Sequence, residues 1–476
     1  MTSQPTAAGG TETATKFGRA IVIGGSIAGC LAAAAVAEHF EEVLIVDRDE
    51  FPDTPQQRNG VAQGAHFHAL LAAGRQAIDE LLPGFSEKAL EGGAADLDST
   101  GDVMRLDRIG WSPRFPSRLR FLMASRPLIE WAVRDRAQAI ANVRFRTKSP
   151  VAGLVGTEGK VTGIRLDGET GEVIEGDLVI DASGRRSIGP DWLAEIGYPK
   201  PVETVVNAHW GYASTFLNVP EDWDPGFQAL ACVPVGDDAR TPEAARRAMA
   251  MWVVEGERRW ILTVQGSAGD YPPRKEADLK EFVSKIGVPE LDKALDSVEF
   301  PGRIQIWRDT TNRLRDFAGL DERPENFLAI GDAWSAFNPV YGQGMTIAAL
   351  DARALAQQIN EQLSEKPGDL GGLAGRYYAA TDKVVQFCWN SSTALDYRIP
   401  GVEVTVDGEP RTPDESAADL GFSDRLAVWA SLDEDRYVKY RETTQLLRSN
   451  DWLKADEVVN EIKENWDELG ARIQAR

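Results

Sequence analysis

Short, wholly apolar runs recur along the chain at residues 20–23, 43–46, 178–180 and 327–330. Each is too short for a helix and shows no polar alternation, which is the pattern of strands buried on both faces of a parallel sheet. Between the first two lies Gly24-Gly25-Ser26-Ile27-Ala28-Gly29, followed by an alanine-rich segment, 30–39, of high helix propensity and small side chains. The pattern predicts strand, glycine turn, helix, strand, with Asp47 closing the second strand. In such a unit the turn lets backbone N–H groups approach a pyrophosphate at a helix N-terminus, and the acid holds a ribose hydroxyl. The fingerprint G-x-G-x-x-G carries Ser26 in place of its middle glycine, a small residue that still permits close approach.

Amphipathic spacing predicts a helix over 69–82, stopped by Pro83-Gly84, and another from Arg126 to about 140 with Pro127 in its first turn. Residues 92–123 hold short strand-like pieces. Residues 143–175 read as a strand followed by a small antiparallel meander, with Asp167-Gly168 and Gly171 as turn signals. The run at 178–180 leads into a second tight turn, Asp181-Ala182-Ser183-Gly184, which suggests that this strand joins the first unit's sheet. From 200 to 310 the texture changes. Apolar runs at 204–217, 228–234 and 259–265 read as longer strands of a mostly antiparallel sheet, with Trp210 and Tyr212 on one side of it. A last buried strand runs into Gly331-Asp332 and a polar glycine loop to Thr346. Long helices follow over about 345–364 and 373–395, then two or three amphipathic helices over 414–473.

The composition is that of a folded protein, 43% apolar and 26% charged over 476 residues, and long enough for two or more structural units. No uninterrupted run of about 18 apolar residues predicts a membrane span. The polar start reads as a disordered tail without a signal-peptide core. A formal charge of -22 argues against nucleic acid and anionic membranes as partners. The three cysteines, Cys30, Cys232 and Cys388, have neither disulfide-framework nor zinc spacing, which points to the cytoplasm. His66 and His68 form an H-x-H pair with no third ligand at a recognisable spacing, so no metal site is expected. Arg48 and Arg58, just past the acidic end of the nucleotide unit, could face phosphate or adenine or sit on the surface.

Three separated stretches, GGSIAG with Asp47, DASGRRS (181–187) and GDAWSAFNPVYGQGMT (331–346), together resemble the flavoprotein monooxygenase family of the p-hydroxybenzoate hydroxylase type. Runs similar to RNGVAQGAHFHALLAAG and AFNPVYGQGM occur in actinobacterial polyketide epoxidases. The resemblance implies an α/β fold: a Rossmann-like FAD-binding domain with a parallel sheet (18–200 and 311–395), a mostly antiparallel β-sheet substrate domain (201–310), and a helical C-terminal region (396–476) after a tail at 1–17. It implies FAD with its ADP half on Gly24, Ser26, Ile27, Ala28, Gly29 and Asp47, and Arg126 on the cofactor's chain. Asp332 is expected at the ribityl or pyrophosphate part, Pro339 and Gly342 bordering the flavin, and Gly344 and Met345 facing its pyrimidine edge. Trp210, Tyr212, Phe337 and Pro339 are candidates for an apolar wall of the substrate pocket.

The activity implied is insertion of one oxygen atom from O2, through a flavin C4a-hydroperoxide, into a hydrophobic natural-product substrate such as a polyketide-like alkene or an aromatic. NADPH or NADH would be the reductant. The second turn departs from the family's DGxxSxxR, a motif linked to NADPH, so a rival reading keeps FAD as a structural element of a non-redox [4+2] cyclase. The W-x-W-x-I-P segment of flavin halogenases is absent.

Overall fold

The computed structural model describes residues 16–58, 60–107, 109–157, 159–233, 241–308, 310–413 and 421–474. Of the tail expected at 1–17, residues 1–15 lie outside them, and Phe17 already belongs to the first strand. Strand β1 (Phe17–Ile23) is central in a five-stranded parallel sheet. Its partner β2 (Phe40–Val46) lies on one side, with β3 (Val143–Arg146) beyond it; β4 (Leu178–Asp181) and then β5 (Phe327–Ala329) lie on the other. Ala20, Ile21 and Val22 are wholly buried because neighbours and helices cover both faces, which is why the run carries no polar alternation. The chain leaves β1 towards β2 and later returns to its other side at β4. The carboxyl ends of β1 and β4 therefore border the crevice where open α/β sheets bind ligands.

Helix α1 (Ile27–Val36) packs its small residues on this sheet, and α2 (Ala72–Leu81) and α3 (Arg126–Gln138) follow it in the chain. Gly29 lets α1 sit down on the turn: a Cβ there would stand 1.8 Å from Gly24 O. Helix α4 (Gly344–Glu365) starts at the polar loop, and α5 (Leu373–Asp396) runs back alongside it. Ala28 of α1 and Ala348 of α4 meet over Gly331, at the end of β5, where a Cβ would be 3.1 Å from one and 3.4 Å from the other.

The second layer is a seven-stranded sheet in the order Gln305–Trp307, Gly211–Asn218, Arg259–Gly266, Arg247–Val253, Ala229–Cys232, Val103–Asp107, Gly110–Trp111. It is antiparallel except where Ala229–Cys232 runs parallel to Val103–Asp107. The apolar run at 204–217, expected as one strand, is two. Val202–Asn207 pairs with Asn312–Asp316 and Glu403–Val406 in a separate five-stranded sheet, and Gly211–Asn218 pairs in the seven-stranded one. The break is local chemistry: the Asn207 side chain accepts the His209 N–H at 3.0 Å, and His209 turns to φ 51°. The meander is present as Val151–Thr157, Lys160–Leu166 and Val173–Glu175.

Among the described residues the C-terminal helices are Gly421–Ser431, Glu434–Thr444, Asp456–Glu464 and Trp466–Gln474, with a core of their own around Leu426, Val428, Ile462 and Leu469. They reach back to the main body through Gln445. The N-terminus of α2 is preceded by Leu71, whose side chain cannot cap it. The Gln445 side chain accepts the Ala72 N–H at 2.9 Å and its carbonyl accepts that of Ala73 at 3.2 Å. No helix among the described residues is long and apolar enough to cross a membrane.

Candidate functional site

Gly24 adopts φ 100°, a conformation that glycine takes without strain, and a Cβ there would be 2.6 Å from Ala182 O. The first and second glycine turns are thus pressed together across the crevice. Ser26 precedes α1 but does not cap it; its hydroxyl accepts from Arg126 Nη2 at 3.0 Å and donates to Glu130 Oε2 at 3.1 Å. No side chain caps the helix, so its first N–H groups and positive dipole end face the cleft. Asp47 is 8% exposed. Its carboxylate accepts the Gly25 N–H at 2.6 Å and the Asp49 N–H at 2.8 Å, stitching the end of β2 to the turn.

Behind the turn lies a buried ionic cluster. Glu130 of α3 accepts Arg58 Nε at 2.7 Å and stands 3.5 Å from Arg126 Nε and 3.8 Å from Arg134 Nη1. Burial alone would raise the Glu130 carboxyl; the Arg126, Arg58 and Arg134 guanidinium groups outweigh it and hold the carboxyl below its usual range. Arg58 also pairs with Asp49, so its guanidinium is engaged within the protein. Arg126 is 9% exposed, and its buried Nε has no hydrogen-bond partner. Arg48 is different, with a side chain 70% exposed at the mouth of the cleft.

At the second turn, Asp181 accepts from the Ser183 N–H at 2.9 Å and the Ser183 hydroxyl at 2.6 Å. Gly184 takes φ 85°, and a Cβ there would meet nothing within 4 Å. Arg185 ties this turn to the third stretch by donating to Phe337 O at 2.5 Å and to Thr311 O. In that stretch Asp332 is half-buried, Pro339 is exposed, Gly342 sits at φ 66°, and α4 begins at Gly344 without a side-chain cap. The loop's inner side is fixed by a buried polar knot. Asp396, the last residue of α5, accepts from Trp210 Nε1 at 2.9 Å, Tyr341 Oη at 2.7 Å and Asn312 Nδ2 at 2.6 Å, while Tyr212 Oη donates to Asn338 Oδ1 at 2.8 Å.

One cleft of about 510 Å³ brings the expected cofactor residues together. Gly24, Ser26, Ile27, Ala28, Asp47 and Arg48 line one end of the set; Arg58, Arg126, Asp332, Gly344 and Met345 line the rest. Gly29, Pro339 and Gly342 are outside the lining, the first beneath the turn. Trp210, Tyr212 and Phe337 are buried and do not line the cleft: the two sheet aromatics spend their polar atoms on the knot. Ser183, Gly184 and Arg186 of the second turn also line the cleft, together with Trp192 and Trp307, which the sequence did not mark. Glu130 and Arg134 also escaped notice, although Arg126, Glu130 and Arg134 repeat at i, i+4, a legible signal of paired charge on one helix face. Asp396 had no comparable signal.

His66 and His68 do not lie on a strand. His66 Nδ1 is 2.7 Å from Ser214 Oγ, and His68 Nδ1 donates to His66 O at 2.8 Å. Burial pushes both imidazoles down, to about 4 and about 3, so both are neutral at pH 7.

The donor set fits FAD. Arg126 Nε, ion-paired with Glu130 but without a hydrogen bond, two uncapped helix N-termini on one cleft, and glycines where a side chain would fill the space suit a dianionic pyrophosphate continued by a flat ring. Fold and site together define an FAD-dependent oxidoreductase with the flavoprotein monooxygenase fold. The family described as FAD binding domain (FAD_binding_3) matches residues 19–371, and the chain belongs to that family. It is 30% identical to Protein Rv3254 of Mycobacterium tuberculosis over 374 residues, 76% of this chain and 77% of that one. Its fold is similar to the flavin-dependent brominase Bmp2 (TM-score 0.60, 14% identity, 95% of this chain and 100% of that one). It is also similar to Pseudomonas aeruginosa PqsL in complex with 2-aminobenzoylacetate (TM-score 0.58, 17% identity, 81% and 97%).

Proposed function

We propose that the chain is an FAD-dependent monooxygenase that inserts one oxygen atom from O2 into an electron-rich carbon of a hydrophobic natural product. A polyketide-like alkene is the favoured substrate and epoxidation the favoured outcome, as the likeness to polyketide epoxidases implies. The observation that carries the reading is the course of the cleft. It runs from the glycine turn past Asp332 to the start of α4, and Trp307, an edge residue of the seven-stranded sheet, lines the same cleft. A ring at that end would lie between the nucleotide fold and the sheet.

When bound, FAD supplies the activation of O2. The chain's own residues bind, orient and exclude water. The start of α1 with Arg126 holds the pyrophosphate, and the remaining acceptor capacity of Asp47 takes a ribose hydroxyl. Asp332, on the lining of the cleft, would hold the ribityl chain. The N–H groups of Gly344 and Met345, at the uncapped start of α4, would hold the ring's electron-rich edge with partial positive charge. The neutral His66 and His68 put no cationic acid beside the loop. The reductant is NADPH or NADH, the compartment is the cytoplasm, and a net charge of -22 favours a small-molecule partner over a nucleic acid.

The test is oxygen accounting. Holoprotein supplied with NADPH or NADH and a panel of polyene and aromatic substrates should consume reductant in step with substrate and carry isotope from labelled O2 into the product. Turnover of a substrate by the oxidised, anaerobic protein would overturn the reading in favour of a non-redox cyclase.

A further inference from the structure

Asp396 is a carboxylate with no exposed surface, and among the described residues no Lys, Arg or His forms an ion pair with it. It sits where the C-terminus of α5 already carries negative dipole character. Its partners come from three other segments: Trp210 beside the seven-stranded sheet, Asn312 of the five-stranded sheet, and Asn338 and Tyr341 of the loop. The orientation of both amides is settled by main-chain donors. Asn312 Oδ1 accepts the Asn338 N–H at 2.7 Å, and Asn338 Oδ1 accepts the Val340 N–H at 3.2 Å as well as the Tyr212 hydroxyl. Each amide therefore turns its NH2 towards Asp396. Indole N–H can only donate. Three of the four side chains around the carboxylate are thus obligate donors in place, and only the Tyr341 hydroxyl can reverse. An acceptor-only group fits that surround; a proton on the carboxyl has one place to go, the contact with Tyr341.

We infer that Asp396 is the positioning residue of the flavin-side loop: its ionised carboxylate fixes Asn338 and Tyr341, and through them Pro339, Gly342 and the start of α4, in the register that the FAD ring requires. The inference rests on the assignment of this loop to the ring end of FAD. Protonation turns the Tyr341 hydroxyl from donor to acceptor and loosens the loop from the sheet. Burial pushes the Asp396 carboxyl up to about 6, against the hydrogen bonds of Tyr341, Trp210, Asn338 and Asn312, so the exchange falls in an accessible pH range. The two tyrosines of the knot do not titrate there. Burial drives Tyr212 and Tyr341 well above their ordinary value. Of the charged groups around the knot, Arg185 donates to Phe337 O, Arg313 is paired with Glu203, and His209, next to Trp210, stands 3.4 Å from Glu403. His66, whose ring centroid lies 6.2 Å from that of Tyr212, is neutral above about pH 4.

The experiment compares FAD affinity and the visible circular dichroism of bound FAD in wild type, Asp396→Asn and Tyr341→Phe, between about pH 5 and pH 7.5. No turnover is involved, so a failure of the proposed oxygenation leaves the readout intact. Wild type should lose affinity about tenfold towards the acid end, the scale of one strong hydrogen bond. Asp396→Asn should bind about tenfold more weakly throughout and show no pH dependence in that window, while its thermal midpoint is unchanged or raised, since an uncompensated buried charge has been removed. Tyr341→Phe should weaken binding about threefold and flatten the pH dependence; it carries the test if Asp396→Asn does not fold. Wild-type affinity, spectrum and pH profile in either variant overturn the inference alone. Failure of the wild-type chain to hold FAD overturns it together with the assignment of the cleft.

Discussion

At the glycine-turn end of the cleft, Glu130 is buried among three guanidinium groups; at the loop end, Asp396 is buried among neutral donors, with no ion-pair partner among the described residues. The first arrangement holds a carboxylate charged below its ordinary range by the guanidinium groups around it. The second holds a carboxylate whose charge is only just maintained at neutral pH. One end is thereby fixed by strong, mutually compensating charges and the other by hydrogen-bond geometry. That contrast suits a cofactor whose phosphates need a permanent grip and whose ring meets a changing partner.

The contrast can be broken most severely at Gly29. A valine there drives a Cβ to within 1.8 Å of Gly24 O before any branch is counted. A loss of more than about 5 kcal/mol is expected, leaving no folded holoprotein, as soluble yield and bound-flavin absorbance would show. Next is Glu130→Ala, which leaves Arg58, Arg126 and Arg134 buried without their shared anion. It should cost about 3–5 kcal/mol in urea unfolding, whereas Glu130→Gln recovers part of this by keeping the contact with Arg58.

The pH dependence separates the two ends by sign. Glu130, held below its ordinary 4.5, contributes stability above that value and loses it as pH falls. Asp396, raised from 3.8 to about 6, does the reverse: its contribution is complete below about 3.8 and is lost as pH rises through 6. Thermal midpoints across pH 4 to 8 should therefore show the alkaline-side loss in wild type, about 3 kcal/mol, and its disappearance in Asp396→Asn. The smallest change is Tyr212→Phe, which removes one donor from Asn338 and leaves Val340 N–H in place. It should cost about 1 kcal/mol, with FAD affinity little changed.

What could be read in the chain follows the range of the interactions. The parallel sheet, the glycine turn, Asp47, Asp332 and the α4 start are local: strand, turn and helix are consecutive, so spacing alone places them. Eleven of the expected cofactor residues duly line one cleft. The knot was not legible, because Trp210, Asn312, Tyr341 and Asp396 are brought together only by the packing of two sheets, a loop and a helix. Trp210 and Tyr212 were expected on one side of the sheet facing a pocket; they do converge, on Asp396 and on Asn338. The split of the run at 204–217 was hidden for a related reason. Its two halves have the same strand-like composition, and only the Asn207–His209 turn separates them.

Gln445 gives the C-terminal helices a role that their distance from the cleft conceals. It closes the N-terminus of α2, while Leu71, one residue ahead of that helix, donates its N–H to Thr346 Oγ1 at 3.1 Å in the first turn of α4. The last quarter of the chain, beyond the stretch that matches the family, therefore braces α2 and, through Leu71, the first turn of α4. Trimming the protein to its family-matched stretch would free one end of α2 and loosen the first turn of α4, the turn proposed to meet the ring, so the minimal unit proposed to hold the cofactor firmly is longer than the motif-bearing part of the chain.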